Sequence, residues 1–204
     1  ELGQLHKPAP EAAVPKAVTP KAAAPKVAVP KAAPAPSPSP QMLTLVRDAQ
    51  RYFTRHQYDQ AEDAYLQVLR QDQTNVVALA NLATIQLQNN QLGAAQTNIL
   101  RALRLSPNDA YSLSILGYLR YRQQRYDAAL DALDRAAKLD PGNAQVQNYL
   151  GITLAEKGLR GPAEAAFRKA LELKPNYGDA HVNLAVIYLS QQPPATELAR
   201  WHYQ

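Results

Sequence analysis

The chain has 204 residues, no cysteine, and a formal charge of +5 from 22 basic and 17 acidic side chains. Without cysteine there is no disulfide framework, thiolate nucleophile or cysteine metal site, and no stretch approaches the roughly 18 apolar residues of a membrane span. The charge is uneven: Lys7, Lys16, Lys21, Lys26 and Lys31 against Glu1 and Glu11 put +3 before Gln41 and leave +2 for the rest, which argues against a nucleic-acid surface on the folded part.

Residues 1–40 hold ten of the 16 prolines, and Pro-Lys recurs at a regular interval at Pro15, Pro20, Pro25 and Pro30. Proline holds φ near about −65° and disfavours helix in the residue before it. The tract therefore reads as a disordered or polyproline II linker, a spacer reaching on the order of 100 Å at about 3.1 Å per residue. One lysine in five, with no arginine or aromatic between, is sparse for counterion release. A nucleic-acid-associated protein with a basic tail is kept as the alternative reading. Because the chain opens at Glu1, a preceding segment is expected. The arrangement favoured is a folded domain tethered at the cell envelope, with the cytoplasm as the other option.

From residue 41 the pattern becomes helical. Leu45, Val46, Ala49, Tyr52 and Phe53 predict a helix to Thr54, and Tyr58, Ala61, Tyr65, Val68 and Leu69 predict a second after a short turn. Further pairs are predicted at 75–88 and 92–105, at 109–122 and 126–139, and at 143–156 and 160–173. Asn75, Asp109 and Asn143 stand where a short polar side chain caps a helix start. Pro107, Pro141 and Pro175 stand where a helix must stop, and Arg70, Arg104 and Lys138 sit in last turns, where a cation complements the helix dipole. A ninth helix is predicted at 179–190, and ATELARWHYQ reads as the beginning of its partner, expected to continue beyond residue 204.

The pattern has a 34-residue period. Leu113, Leu116, Gly117, Ala129, Leu133, Ala136 and Pro141 match Leu79, Leu82, Ala83, Ala95, Ile99, Ala102 and Pro107 upstream, and Leu150, Gly151, Leu154, Ala163, Phe167, Ala170 and Pro175 downstream. These residues resemble the tetratricopeptide repeat family, with repeats at 42–75, 76–109, 110–143 and 144–177 and a partial fifth at 178–204. The match is looser in the first repeat, where Asp48, Val68 and Gln73 replace the usual Leu, Ala and Pro, and at Gln147 in the fourth. Trp201 falls where the family has its second-helix aromatic. The resemblance implies an all-α, right-handed superhelical solenoid of antiparallel helix pairs.

It also implies a non-catalytic scaffold that binds a protein or peptide in its concave groove. The family's groove positions fall on Leu43, Val46, Gln50 and Phe53; Val77, Ala80, Thr84 and Leu87; Tyr111, Ser114, Tyr118 and Tyr121; and Gln145, Asn148, Ile152 and Ala155. Tyr111, Tyr118 and Tyr121 are not required by the repeat, and tyrosine joins apolar area to a hydroxyl at low entropy cost. With Arg122 and Arg125 beside them, they mark the expected centre of binding. The clamp that grips chaperone C-termini is not matched. Only Asn81 fits, while Val46, Gln50, Tyr111 and Ile115 stand where Lys, Asn, Lys and Arg are needed. A third reading is an assembly subunit that associates with itself through the end of the array, around Trp201, Val182 and Val186.

Nothing points to chemistry or to a cofactor. His6, His56, His181 and His202 lack metal-ligand spacing. Asp131 and Asp134 share a helix face next to Arg135 and read as solvated charge. Lys157-Gly158-Leu159-Arg160-Gly161 has no strand before it, as a phosphate loop would.

Overall fold

Short polar side chains decide where the first helices begin. The computed structural model describes residues 39–190 and 196–203; of the tract expected to be a spacer, residues 1–40, the first 38 lie outside them and the last two belong to the start of the first helix. Ser39 accepts a hydrogen bond from the Met42 amide at 3.2 Å, and Pro40, pre-set for a first turn, opens α1 (Pro40–Thr54). Asn75, Asp109 and Asn143 accept from the amides of Ala78, Ser112 and Val146 at 3.0, 2.8 and 3.2 Å. They start α3 (Val76–Gln88), α5 (Ala110–Arg122) and α7 (Ala144–Glu156). Each helix begins one residue after its predicted start because the capping residue stays outside the helix.

The second helices, α2 (Tyr58–Gln71), α4 (Leu92–Leu105), α6 (Tyr126–Leu139) and α8 (Arg160–Leu173), have no side-chain cap. The turn before them sets their start instead. The backbone enters the left-handed region at His56, Asn90, Gln124 and Gly158, with φ of 57°, 59°, 59° and 75°. The next amide then bonds back: Gln57 to the Tyr52 carbonyl at 3.0 Å, Gln91 to Gln86 at 2.7 Å, Arg125 to Arg120 at 2.9 Å and Leu159 to Leu154 at 2.9 Å. This is a Schellman closure, which satisfies carbonyls at the end of the first helix. Glycine at 158 takes the conformation without strain; a Cβ at 56 and 124 does not.

Each pair closes where a small residue lets the two helices touch. A Cβ on Gly117 would lie 2.5 Å from Leu133 Cγ, and one on Gly151 would lie 2.4 Å from the Phe167 ring. Ala49, Ala83 and Ala185, fully buried, hold the same repeat position. The matching slot on the second helix holds Tyr65, Ile99, Leu133 and Phe167, all essentially buried. Burying a Leu, Ile or Phe side chain contributes about 1.5–3 kcal/mol. Tyr65 fills its slot with a hydroxyl that finds no partner.

In the fifth pair Trp201 holds the slot's repeat position, at the end of the array, where an open face around it was expected. Trp201 is 65% exposed. Val182 and Val186 of the same pair are 46% and 52% exposed. There α9 (Gly178–Leu189) is followed by α10 (Thr196–Tyr203).

Consecutive helices pack throughout. In addition α3 packs on α5, α5 on α7 and α7 on α9, so the first helices form the inner wall of the right-handed superhelix and the second helices its outer wall. Arg101 and Arg135, equivalent positions on α4 and α6, donate to the carbonyls of Gln73 and Pro107 at 3.1 and 2.9 Å, tying each pair to the loop before it. Arg70, Arg104 and Lys138 occupy last turns. Among the described residues no helix is long and apolar enough to cross a membrane.

Candidate functional site

The inner wall changes character at α5. Tyr111 reaches from α5 to α3, where its hydroxyl donates to Asn81 Oδ1 at 3.1 Å and lies 3.1 Å from Thr84 Oγ1. Burial pushes its phenol pKa up, against the pull of the Thr84 bond, so the hydroxyl stays protonated at neutral pH. The Thr84 hydroxyl is also within 3.0 Å of the Ala80 carbonyl in its own helix. Tyr111 is therefore part of the wall, with its polar end committed to the neighbouring helix.

Two and three turns further along α5 the arrangement is more open. Tyr118 is the middle ring of a near-parallel stack, 4.6 Å and 15° from Tyr149 of α7 and 6.1 Å and 19° from Tyr121. Tyr126, at the start of α6, adds a tilted ring 6.1 Å from Tyr121. The Arg122 guanidinium lies 5.8 Å over the Tyr118 ring and donates to Asn90 Oδ1 at 2.9 Å. Ring pairs of this kind contribute about 0.5–1.5 kcal/mol, and a partly exposed cation over a ring about 0.5–1 kcal/mol. Burial, and then the charge of Glu156, push the Tyr121 phenol pKa up; burial does the same to Tyr149. The result is a half-buried aromatic platform with a cation and a carboxylate at its margins.

The other predicted groove residues divide. Ala80, Leu87, Ser114 and Asn148 are buried within the wall. The Ser114 hydroxyl donates to the Tyr111 carbonyl at 2.7 Å, and Asn148 Oδ1 accepts from Asn183 of α9 at 3.0 Å. Ile152 and Ala155 are half-buried against the core of the last two pairs. Phe53 is half-buried, edge-on to Tyr58 at 5.9 Å, and Gln50 is exposed. Arg125 is exposed and sits near Arg120, whose pKa is lowered by burial first and then by that charge; nothing joins it to the ring stack. The platform therefore comprises Tyr118, Tyr121 and Arg122 of the predicted centre.

Two features escaped the reading of the sequence. Tyr149 completes the stack from a position adjacent to Asn148; Asn81, Ile115, Tyr149 and Asn183 form a column at 34-residue spacing, visible once the first helices are known to touch. His181 and His202, taken as scattered, meet between α9 and α10, with Nδ1 atoms 2.8 Å apart. Among the described residues no three or more His, Cys, Asp or Glu side chains are grouped to hold a metal.

Three overlapping matches to the tetratricopeptide repeat family model span residues 47–110, 80–144 and 116–161. No sequence among the curated proteins matches the chain. Among solved structures, a thermophilic repeat protein of Thermus thermophilus is 24% identical with a TM-score of 0.69, over 79% of this chain and 88% of that one. PilF of Pseudomonas aeruginosa is 23% identical with a TM-score of 0.68, over 79% and 73%. MamA of Desulfovibrio magneticus RS-1 is 18% identical with a TM-score of 0.64, over 82% and 93%. At these identities the likeness is one of fold. The family model, matched across more than half of the chain, places it in the tetratricopeptide repeat family.

Proposed function

We propose that the chain is a non-catalytic scaffold that binds an extended or helical protein segment along its inner wall, centred on Tyr118, Tyr121 and Arg122. The family's general role as a protein-interaction scaffold supports the class of activity. The observation that carries the location is a run of apolar side chains left open at inner-wall positions. Leu43 is 56% exposed, Val77 46% and Val186 52%, and the tyrosine platform lies between them in the sequence. A solenoid core needs none of these exposed, and an apolar run with one aromatic centre suits a segment held by hydrophobic anchors.

The test is a displayed-peptide selection on the immobilised chain, followed by competition with a Tyr118→Ala/Tyr121→Ala double variant. Selected peptides should lose at least about tenfold in affinity for the variant, the loss of one interface hot spot. Equal affinity, with helicity unchanged, would contradict the location. A second reading, self-association through the fifth pair, draws on Val182 and Val186, which are open together. Sedimentation that shows a monomer independent of concentration would remove it.

A further inference from the structure

We infer that α10 is a pH-sensitive latch: the His181–His202 contact holds it on α8 and α9 while the two rings share at most one mobile proton, and releases it once both are charged. His181 Nε2 lies 2.8 Å from the Pro175 carbonyl oxygen, which only accepts, so this nitrogen carries a hydrogen. Its Nδ1 faces His202 Nδ1 at 2.8 Å. One hydrogen between the two nitrogens makes a bond. Two place N–H against N–H, with like charges at hydrogen-bond distance.

The surroundings give a second positive charge little support. His202 stacks on Tyr188 of α9 at 5.6 Å. Arg168 of α8 donates to the Tyr188 hydroxyl at 3.0 and 3.3 Å, which brings a third cation to the cluster. Three acidic side chains of α8 and α10 are already paired: Glu164 with Arg168 at 2.8 Å, Glu172 with Lys169 at 2.9 Å, and Glu197 with Arg200 at 3.3 Å, while Asp179 stands in the first turn of α9, two residues from His181. Burial, then His181, then Arg168 hold the His202 pKa below the ordinary histidine value. A histidine depressed in the docked state stabilises docking above its free pKa, and that contribution is lost as pH falls through the depressed value. Docked, Leu198 and Trp201 of α10 share a hollow of about 500 Å³ with Leu171, Leu184 and Tyr188, and release would part the two sides.

The experiment is amide hydrogen exchange across residues 196–203 in the intact chain, corrected for the intrinsic pH dependence of exchange. The open form takes up one proton more than the docked form, with an ordinary histidine pKa. The opening equilibrium of α10 should therefore rise several-fold, with about thirtyfold as the ceiling for one proton, between about pH 7.5 and about pH 5, while amides of α3 and α5 keep their protection. In His202→Gln, and separately in His181→Gln, the acid step should vanish. Protection of α10 that is independent of pH in the wild-type chain would overturn the latch, as would an equal acid step in both variants. The wild-type arm decides the matter alone if a variant leaves α10 undocked.

Discussion

The third helix pair and the fifth share one 34-residue plan and end differently. In the third, α6 starts on the repeat's schedule, Leu133 fills the slot opposite Gly117, and the aromatic residues left over collect on the inner wall. In the fifth, the aromatic at the slot's repeat position, Trp201, is 65% exposed and lies 6.0 Å from His181. Helical packing depends on phase as well as composition. Repeat position alone does not bury a residue; the neighbours packed around it do.

The largest effect should separate the two regions by a single repeat position. Phe167→Ala empties the buried slot of the fourth pair and should cost about 3–5 kcal/mol, whereas Trp201→Ala should cost less than about 0.5 kcal/mol. Urea unfolding of both variants checks this, and similar losses would break the comparison. Next in size, Gly151→Ala drives a methyl into the Phe167 ring, which has no flexible end to move aside, and should cost about 1–3 kcal/mol in the same assay. In the third pair the obstacle is the branched end of Leu133, so Gly117→Ala should cost less.

Two smaller changes sharpen the account of individual positions. Tyr65→Phe removes a buried hydroxyl that has no partner and should raise stability by up to about 1 kcal/mol. A thermal midpoint at or above that of the parent is the expected reading. Gln124→Gly relieves a left-handed residue in the turn of the third pair, where the fourth already has Gly158. It should add a few tenths to about 1 kcal/mol, since the relief exceeds the added entropy of the unfolded chain.

Much of the fold was legible because the repeat writes each structural decision four times. Asn75, Asp109 and Asn143 announce helix starts, and Gly117 and Gly151 announce close crossings, at spacings that leave little choice. The candidate site was legible only in part. Tyr111 looked free to bind because its partners, Asn81 and Thr84, belong to the preceding repeat and lie on another helix. Ala80, Leu87, Ser114 and Asn148 sit at groove positions by repeat arithmetic, yet neighbouring first helices bury them. Arg125 adjoins the tyrosines in sequence but lies by Arg120. In each case contact between repeats decided the outcome, and a single repeat cannot display it.

The most direct test of the inner-wall assignment is photo-crosslinking to a peptide selected on the chain. A photoreactive residue is placed in turn at Gln50, Thr84 and Ile152 on first helices, and at Leu66 and Asp131 on second helices. Crosslinks from the first three, strongest at those nearest the Tyr118–Tyr121 platform, with none from the last two, are predicted. Crosslinks from Leu66 or Asp131 alone would contradict it.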